Sequence, residues 1–111
     1  MAAKRPISSH GAFTMFTLTA QDINAAAEYM QAESSKHWST GKMRPNRKKC
    51  VVVAQWAADE YSAGYTNEAE LRLRAKRSTY LKKKCGSIWI MLIGSLLINL
   101  FVKWLFSKRD V

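Results

Sequence analysis

Two histidines and two cysteines are the side chains best suited to metal binding or nucleophilic chemistry in this sequence of 111 residues. They are His10, His37, Cys50 and Cys85, and no two of them have the short spacing at which zinc ligands usually pair. Only a special fold would bring all four together. We therefore expect no metal and no cofactor.

Catalytic patterns of other kinds are also missing from the sequence. Asp59 and Glu60 are adjacent, so on a helix their carboxylates point apart and do not form a general acid–base pair. There is no glycine-rich phosphate loop and no Ser–His–Asp arrangement. The expectation is a protein that is not an enzyme and that has no small-molecule substrate.

Each cysteine has a setting that suggests some chemistry. Cys50 follows Arg47, Lys48 and Lys49, whose positive charges would lower its pKa and favour the thiolate. Packing at the start of a helix is the preferred interpretation of Cys50. Cys85 follows three lysines at the edge of an apolar segment, a setting in which S-acylation occurs. A small boundary residue is the simpler interpretation of Cys85.

Charged and apolar residues occupy different parts of the chain. The sequence has 18 basic and 8 acidic residues, a net charge of +10, and 48% apolar residues. Residues 85–102 contain no charge, and the apolar segment continues to residue 106 around Lys103. A helix of that length measures about 33 Å, enough to cross a hydrocarbon core of about 30 Å. A buried helix of a soluble protein is disfavoured, because few residues remain to surround it.

The flanks of this segment predict its orientation. Seven basic residues lie at positions 72–84, but only Lys103, Lys108 and Arg109 lie at the other end. The excess of positive charge predicts that the N-terminal part faces the cytoplasm or an organelle matrix, with residues 107–111 as a short tail on the far side. Trp89 and Trp104 are expected to anchor the two interfaces. Residues 1–20 have no secretory signal and only a faint likeness to a transit peptide.

Small and polar residues within the predicted span suggest a contact face. They are Ser87, Gly94, Ser95, Asn99 and Lys103. The last three recur every four residues and so align along a helix. Such a stripe is expected to face another membrane-protein subunit, although a lone anchor would also tolerate it.

The N-terminal part is predicted to be a small helical head. Residues 1–19 form an extended arm, residues 20–38 an amphipathic helix starting near Thr19, and residues 39–49 a basic loop. Residues 50–62 are predicted as a second helix ending near Gly64, with a strand as the alternative because of three consecutive valines. These two helices and the loop make up a head domain of residues 20–64.

A basic juxtamembrane helix of residues 66–84 follows the head. Asn67 to Glu70 resembles a capping box, and Glu68–Arg72 and Glu70–Arg74 have the spacing of ion pairs along a helix. No glycine or proline interrupts the sequence before Gly86, so this helix is predicted to continue unbroken into a transmembrane helix of residues 85–106. The predicted fold is all-α: a head of two short helices and an extended arm, then a long C-terminal helix that spans the membrane once.

Two basic clusters are expected to contact partners. They comprise Lys42, Arg44, Arg47, Lys48, Lys49, Lys82, Lys83 and Lys84. The cluster beside the membrane would bind anionic lipid headgroups. The loop cluster would bind lipid or an acidic protein surface, and nucleic acid is a less favoured partner.

These features predict a non-catalytic, single-pass accessory subunit of a larger membrane complex. The layout resembles that of accessory subunits of mitochondrial respiratory-chain or ATP-synthase complexes, which implies the mitochondrial inner membrane. Two alternatives stay open: a membrane protein of a lipid-containing virion or phage that bridges the membrane to the capsid or genome, and a tail-anchored adaptor that recruits soluble partners.

Overall fold

The computed structural model describes residues 18–38, 41 and 43–109, and the arm before residue 18 lies outside the described part. Every regular element in that part is an α-helix. The five helices are α1 (Ala20–Ser34), α2 (Arg47–Ser62), α3 (Glu68–Arg77), α4 (Thr79–Cys85) and α5 (Ser87–Arg109). The all-α prediction is therefore confirmed for these residues, and the three valines lie in a helix rather than a strand.

The first two helices begin where side chains can satisfy their free backbone N–H groups. The Thr19 hydroxyl accepts a hydrogen bond from the Asp22 amide, and the Asp22 carboxylate accepts one from the Thr19 amide, which completes a capping box. Asn46 caps α2 by accepting from the Lys49 amide. Helix α1 ends at Ser34, four residues earlier than predicted, where the Ser34 hydroxyl donates to the Met30 carbonyl.

The prediction of one unbroken helix from residue 66 into the membrane segment was wrong. The backbone of Ser78 is extended (φ −73°, ψ 115°), which ends α3, and its hydroxyl caps α4 by accepting from the Leu81 amide. Gly86 then ends α4 with a φ of +104°, a conformation that favours glycine. These two breaks let α3 and α4 fold back against α5.

Helix α5 is the hydrophobic centre of the fold, and it packs against all four other helices. The buried faces of α1, α2, α3 and α5 belong to one continuous cluster. Too few residues were expected to remain to surround the apolar segment. The structure covers one face of it but leaves Ile88, Met91, Leu92 and Phe106 exposed. The predicted head and the predicted span share one core instead of forming two separate bodies.

Gly86 provides a test of the break before α5. A methyl group added there has room, since its nearest neighbour is Trp89 Cβ at 3.7 Å, so Gly86→Ala tests the backbone conformation alone. We expect Gly86→Ala to lower the free energy of unfolding by about 1–3 kcal/mol. Urea unfolding followed by circular dichroism measures this change.

Gly94→Ala is the matched control for the same measurement. Gly94 lies within α5, where alanine is favoured over glycine, and its added methyl would contact only Ile90 at 3.4 Å and beyond. We expect Gly94→Ala to be neutral or stabilising. Equal stability of the two variants would contradict the proposed role of Gly86.

Candidate functional site

One helix of the described residues is long and apolar enough to cross a membrane, the 22-residue segment Ser87–Lys108 within α5. Length and composition do not distinguish such a span from the core helix of a soluble protein. More than half of its most apolar window is buried in this fold. The parts of α5 that the other helices leave uncovered are therefore the surfaces through which it can contact a membrane or a partner.

Helix α5 has a covered face and an open face. The covered face is formed by Trp89, Ile90, Ile93, Leu97, Ile98, Leu100, Phe101, Val102 and Leu105, each at most 7% exposed. On the open face, Ile88 is 69%, Met91 59%, Leu92 55% and Phe106 47% exposed. Large apolar side chains thus remain accessible along the helix although its other side is fully packed.

The predicted polar stripe lies largely on this open face. Asn99 and Lys103 are exposed, and Ser95 is half-buried in a shallow depression between α3 and α5. Ser87 is also exposed. Gly94 is buried on the covered side of the helix, so it does not share a surface with the other four. In this fold the stripe is accessible to a partner.

The two tryptophans expected at the membrane interfaces have different environments. Trp89 is 4% exposed, and the ammonium of Lys49 lies 4.8 Å from the centre of its ring. Its buried indole N–H has no hydrogen-bond acceptor among the described residues. Trp104 is half-buried against Phe101, with a distance of 6.2 Å between ring centres. A buried N–H without an acceptor costs stability.

An ion pair connects the start of α1 to the last turns of α5. The Lys108 ammonium lies 3.0 Å from an Asp22 carboxylate oxygen. The backbone hydrogen bond from Thr19, followed by the contact with Lys108, lowers the pKa of Asp22 below its ordinary value of 3.8. The sequence gives no signal for this pair, since 85 residues of chain separate the two side chains. It holds α1 along the covered face of α5.

A second ion pair fixes α3. The Arg74 guanidinium bonds to the Glu60 carboxylate on α2 and lies 3.7 Å from the centre of the Tyr65 ring. The predicted pair of Arg74 with Glu70 is therefore replaced by a tertiary contact, which raises the pKa of Arg74. The predicted Glu68–Arg72 pair does form, at 3.1 Å.

Several cations in or just before the predicted basic loop contact other side chains of the same chain. Lys36 pairs with Glu33 at 3.1 Å and Arg47 with Glu28 at 3.5 Å, and Lys49 lies on the Trp89 ring as described above. Arg44 and Lys48 are exposed, and Lys42 lies outside the described residues. The loop therefore presents fewer free charges than its sequence suggests.

The net charge resides in the C-terminal part of the chain. Residues 71–109 contain ten basic residues and no acidic residue, whereas the remaining residues contain eight of each. Among the described residues, six of these cations lack a carboxylate within ion-pair distance. They are Lys76, Arg77, Lys82, Lys83, Lys84 and Lys103. The excess positive charge thus accompanies α3, α4 and α5, the elements around the open face.

Both cysteines are buried, Cys50 completely and Cys85 to 6% exposure, and both are free thiols. Burial raises the pKa of Cys50 to about 12, so the expectation of a lowered pKa was wrong. Desolvation outweighs the neighbouring Arg47 charge. The interpretation of Cys50 as a packing residue near a helix start fits its position. The described residues contain no group of three or more potential metal ligands.

No family model, curated protein or solved structure matches this chain.

The Asp22–Lys108 pair leads to a pH-dependent prediction. Because the pKa of Asp22 is lowered in the folded state, its carboxylate adds stability above about pH 4, and this contribution is lost as the pH falls through the folded-state pKa. Asp22→Asn keeps an acceptor for the helix cap but removes the charge. We expect this variant to be less stable than the wild type at neutral pH, with a difference that shrinks on acidification.

Urea unfolding at about pH 7 and about pH 3 measures both differences. The control is Glu70→Gln. This variant removes an exposed carboxylate that has no ion pair among the described residues. A deficit of Asp22→Asn that is unchanged between the two pH values would contradict the role of the pair.

The buried cysteines predict slow thiol chemistry in the folded chain. We expect both thiols to react with a disulfide reagent at least about 100-fold more slowly in buffer than in denaturant, because labelling requires local or global opening. Mass spectrometry of the timed reaction identifies each labelled cysteine. Rapid labelling of Cys50 in buffer would contradict its position in the core.

Proposed function

We propose that this chain is a non-catalytic membrane protein that inserts α5 as a single span and serves as an accessory subunit of a larger membrane complex. The observation that carries the proposal is the combination in α5 of the length of a span with an apolar face that stays exposed. Isolated exposed apolar residues are ordinary, but three large ones grouped within residues 88–92 of one helix indicate an interaction surface.

In the closed arrangement described above, α5 cannot cross a bilayer. Helices α1 and α3 cover it, and their outer sides carry exposed charges such as Glu28, Glu70 and Lys76. Placing those charges in hydrocarbon would cost several kcal/mol. Insertion therefore requires α1 and α3 to separate from α5. In the inserted state, lipid tails would replace the protein contacts of the covered face.

The environment of Trp89 supports such a second state. In the closed fold its indole N–H is buried without an acceptor among the described residues. At the edge of a bilayer, the ring would remain in an apolar layer while the N–H reached headgroups or water. Insertion would thus give this N–H the hydrogen-bond partners that the described residues of the closed fold do not provide.

Separation of α5 would also create a need for a partner. The residues of α1, α2 and α3 that now contact the common core include Ile23, Met30, Val53 and Leu71, all buried. Once α5 leaves, their apolar surfaces would face water unless another protein covered them. A complex would supply that cover, and Asn99 and Lys103 would give the span polar contacts within it.

The distribution of charge supports an orientation of the span, and the layout of the chain supports a location. The seven basic residues at positions 72–84 favour the head on the cytoplasmic or matrix side. The mitochondrial inner membrane is the first location to examine, because the layout resembles that of accessory subunits of respiratory-chain or ATP-synthase complexes.

Membrane fractions from cells that produce the full chain provide the test. We expect the chain to resist extraction with alkaline carbonate and, in mild detergent, to comigrate with a larger assembly on a native gel. Asn99→Leu should reduce comigration several-fold without reducing carbonate resistance, because the amide would contact a partner helix rather than lipid.

Ser107→Leu, another exposed polar-to-apolar change on α5, is the control and should leave comigration unchanged. Complete extraction by carbonate would contradict insertion. Migration of a carbonate-resistant chain on its own would contradict the role as a subunit.

A further inference from the structure

We propose that the closed chain docks on an anionic bilayer leaflet through a patch formed by Leu73 of α3 and Ile88, Met91 and Leu92 of α5. This inference deepens the proposed function and rests on it, since docking would be the state that precedes insertion of α5. The partner is a lipid surface with acidic headgroups.

The patch combines one turn of the open face of α5 with an exposed residue of the neighbouring helix α3. Ile88, Met91 and Leu92 are between 55% and 69% exposed, and they lie within little more than one turn of α5. Leu73, 46% exposed, lines the same depression as Ser95, which follows Leu92 by about one turn. Four large apolar side chains from two helices are thus accessible while the core stays closed.

Positive charge accompanies this patch. Lys76 lines the depression together with Leu73, and the exposed Lys83 and Lys84 stand four to five residues before Ile88. None of these three lysines has a carboxylate partner within ion-pair distance among the described residues. The apolar side chains would enter the boundary between headgroups and acyl chains, and the lysines would contact acidic headgroups.

The distribution of charge favours a lipid leaflet over a protein groove as the occupant. Residues 71–109 contain ten basic and no acidic residues, and α3, α4 and α5 each have more basic than acidic residues although α3 includes Glu68 and Glu70. This part of the chain therefore attracts an extended anionic surface. An anionic leaflet presents such a surface over the whole width of the chain. A protein partner would need acidic groups matched to each lysine.

Flotation of the purified full chain with lipid vesicles tests the proposal. The probe vesicles contain either phosphatidylcholine alone or phosphatidylcholine with about 30% phosphatidylglycerol, at low salt. We expect the wild type to bind the anionic vesicles at least about tenfold more strongly than the neutral ones, and high salt to weaken that binding.

Two pairs of variants distinguish the effect of the patch on vesicle binding from the effect of the total charge. Ile88→Glu/Leu92→Glu should reduce binding about tenfold or more, whereas Ala25→Glu/Ala32→Glu, the same charge change at exposed positions of α1, should reduce it far less. Likewise, Lys83→Gln/Lys84→Gln should weaken binding more than Arg44→Gln/Lys48→Gln at exposed positions around the start of α2. Circular dichroism verifies that each variant is folded.

The proposal would be overturned if the patch variant and its control lost the same amount of vesicle binding. It would also be overturned if the wild type bound neutral vesicles as strongly as anionic ones, or bound neither. Normal vesicle binding by Ile88→Glu/Leu92→Glu, together with lost comigration on the native gel, would identify a protein as the occupant and also overturn it. The docking proposal can be contradicted without contradicting the proposed function. Carbonate resistance in native membranes reports insertion, whereas flotation reports surface binding.

Discussion

The structure depends on one constraint: a strongly apolar 23-residue helix has to be covered by a chain of only 111 residues. Each large side chain that α5 buries contributes about 1.5–3 kcal/mol, so hydrophobic burial outweighs the surface ion pairs, which are usually worth about 1 kcal/mol or less. Helices α1 and α3 supply most of the cover. The contacts Asp22–Lys108 and Arg74–Glu60 then fix the positions of these two helices.

The same constraint explains why the described residues leave part of α5 exposed, and we propose that this cover is reversible. Four other helices pack around α5, yet Ile88, Met91, Leu92 and Phe106 stay exposed. A bilayer would cover both faces of α5 at once, and it would accommodate Trp89 better than the core does. The breaks at Ser78 and Gly86 give the chain places to bend between a closed and an inserted arrangement. We propose that closed packing, surface docking and insertion form one sequence of states, in which the exposed face of α5 makes the first contact with lipid.

Local features of the fold could be predicted from the sequence because they depend on neighbouring residues. The helix start at Thr19, the amphipathic helix α1, the helix over the three valines and the Glu68–Arg72 pair all belong to this group. The break at Ser78 could not be predicted, since a serine without an adjacent glycine or proline is a weak signal. The pairs of Asp22 and Arg74 depend on chain segments that meet only in the tertiary structure. At the candidate site, the sequence pattern indicated a stripe of Ser95, Asn99 and Lys103. Only the structure shows that Gly94 is buried away from this stripe and that Trp89 is buried in the core.

We propose that α1 separates from α5 when the chain enters a membrane, and the distance between these two helices reports that separation. Spin labels at exposed positions 21 and 107 would lie close together in the closed chain, because Asp22 contacts Lys108. Alanine would replace the two native cysteines. Pulsed electron paramagnetic resonance should give one short, narrow distance in solution and a longer, broader distribution after reconstitution into anionic vesicles. A short distance that persists in carbonate-resistant, vesicle-bound protein would contradict the account.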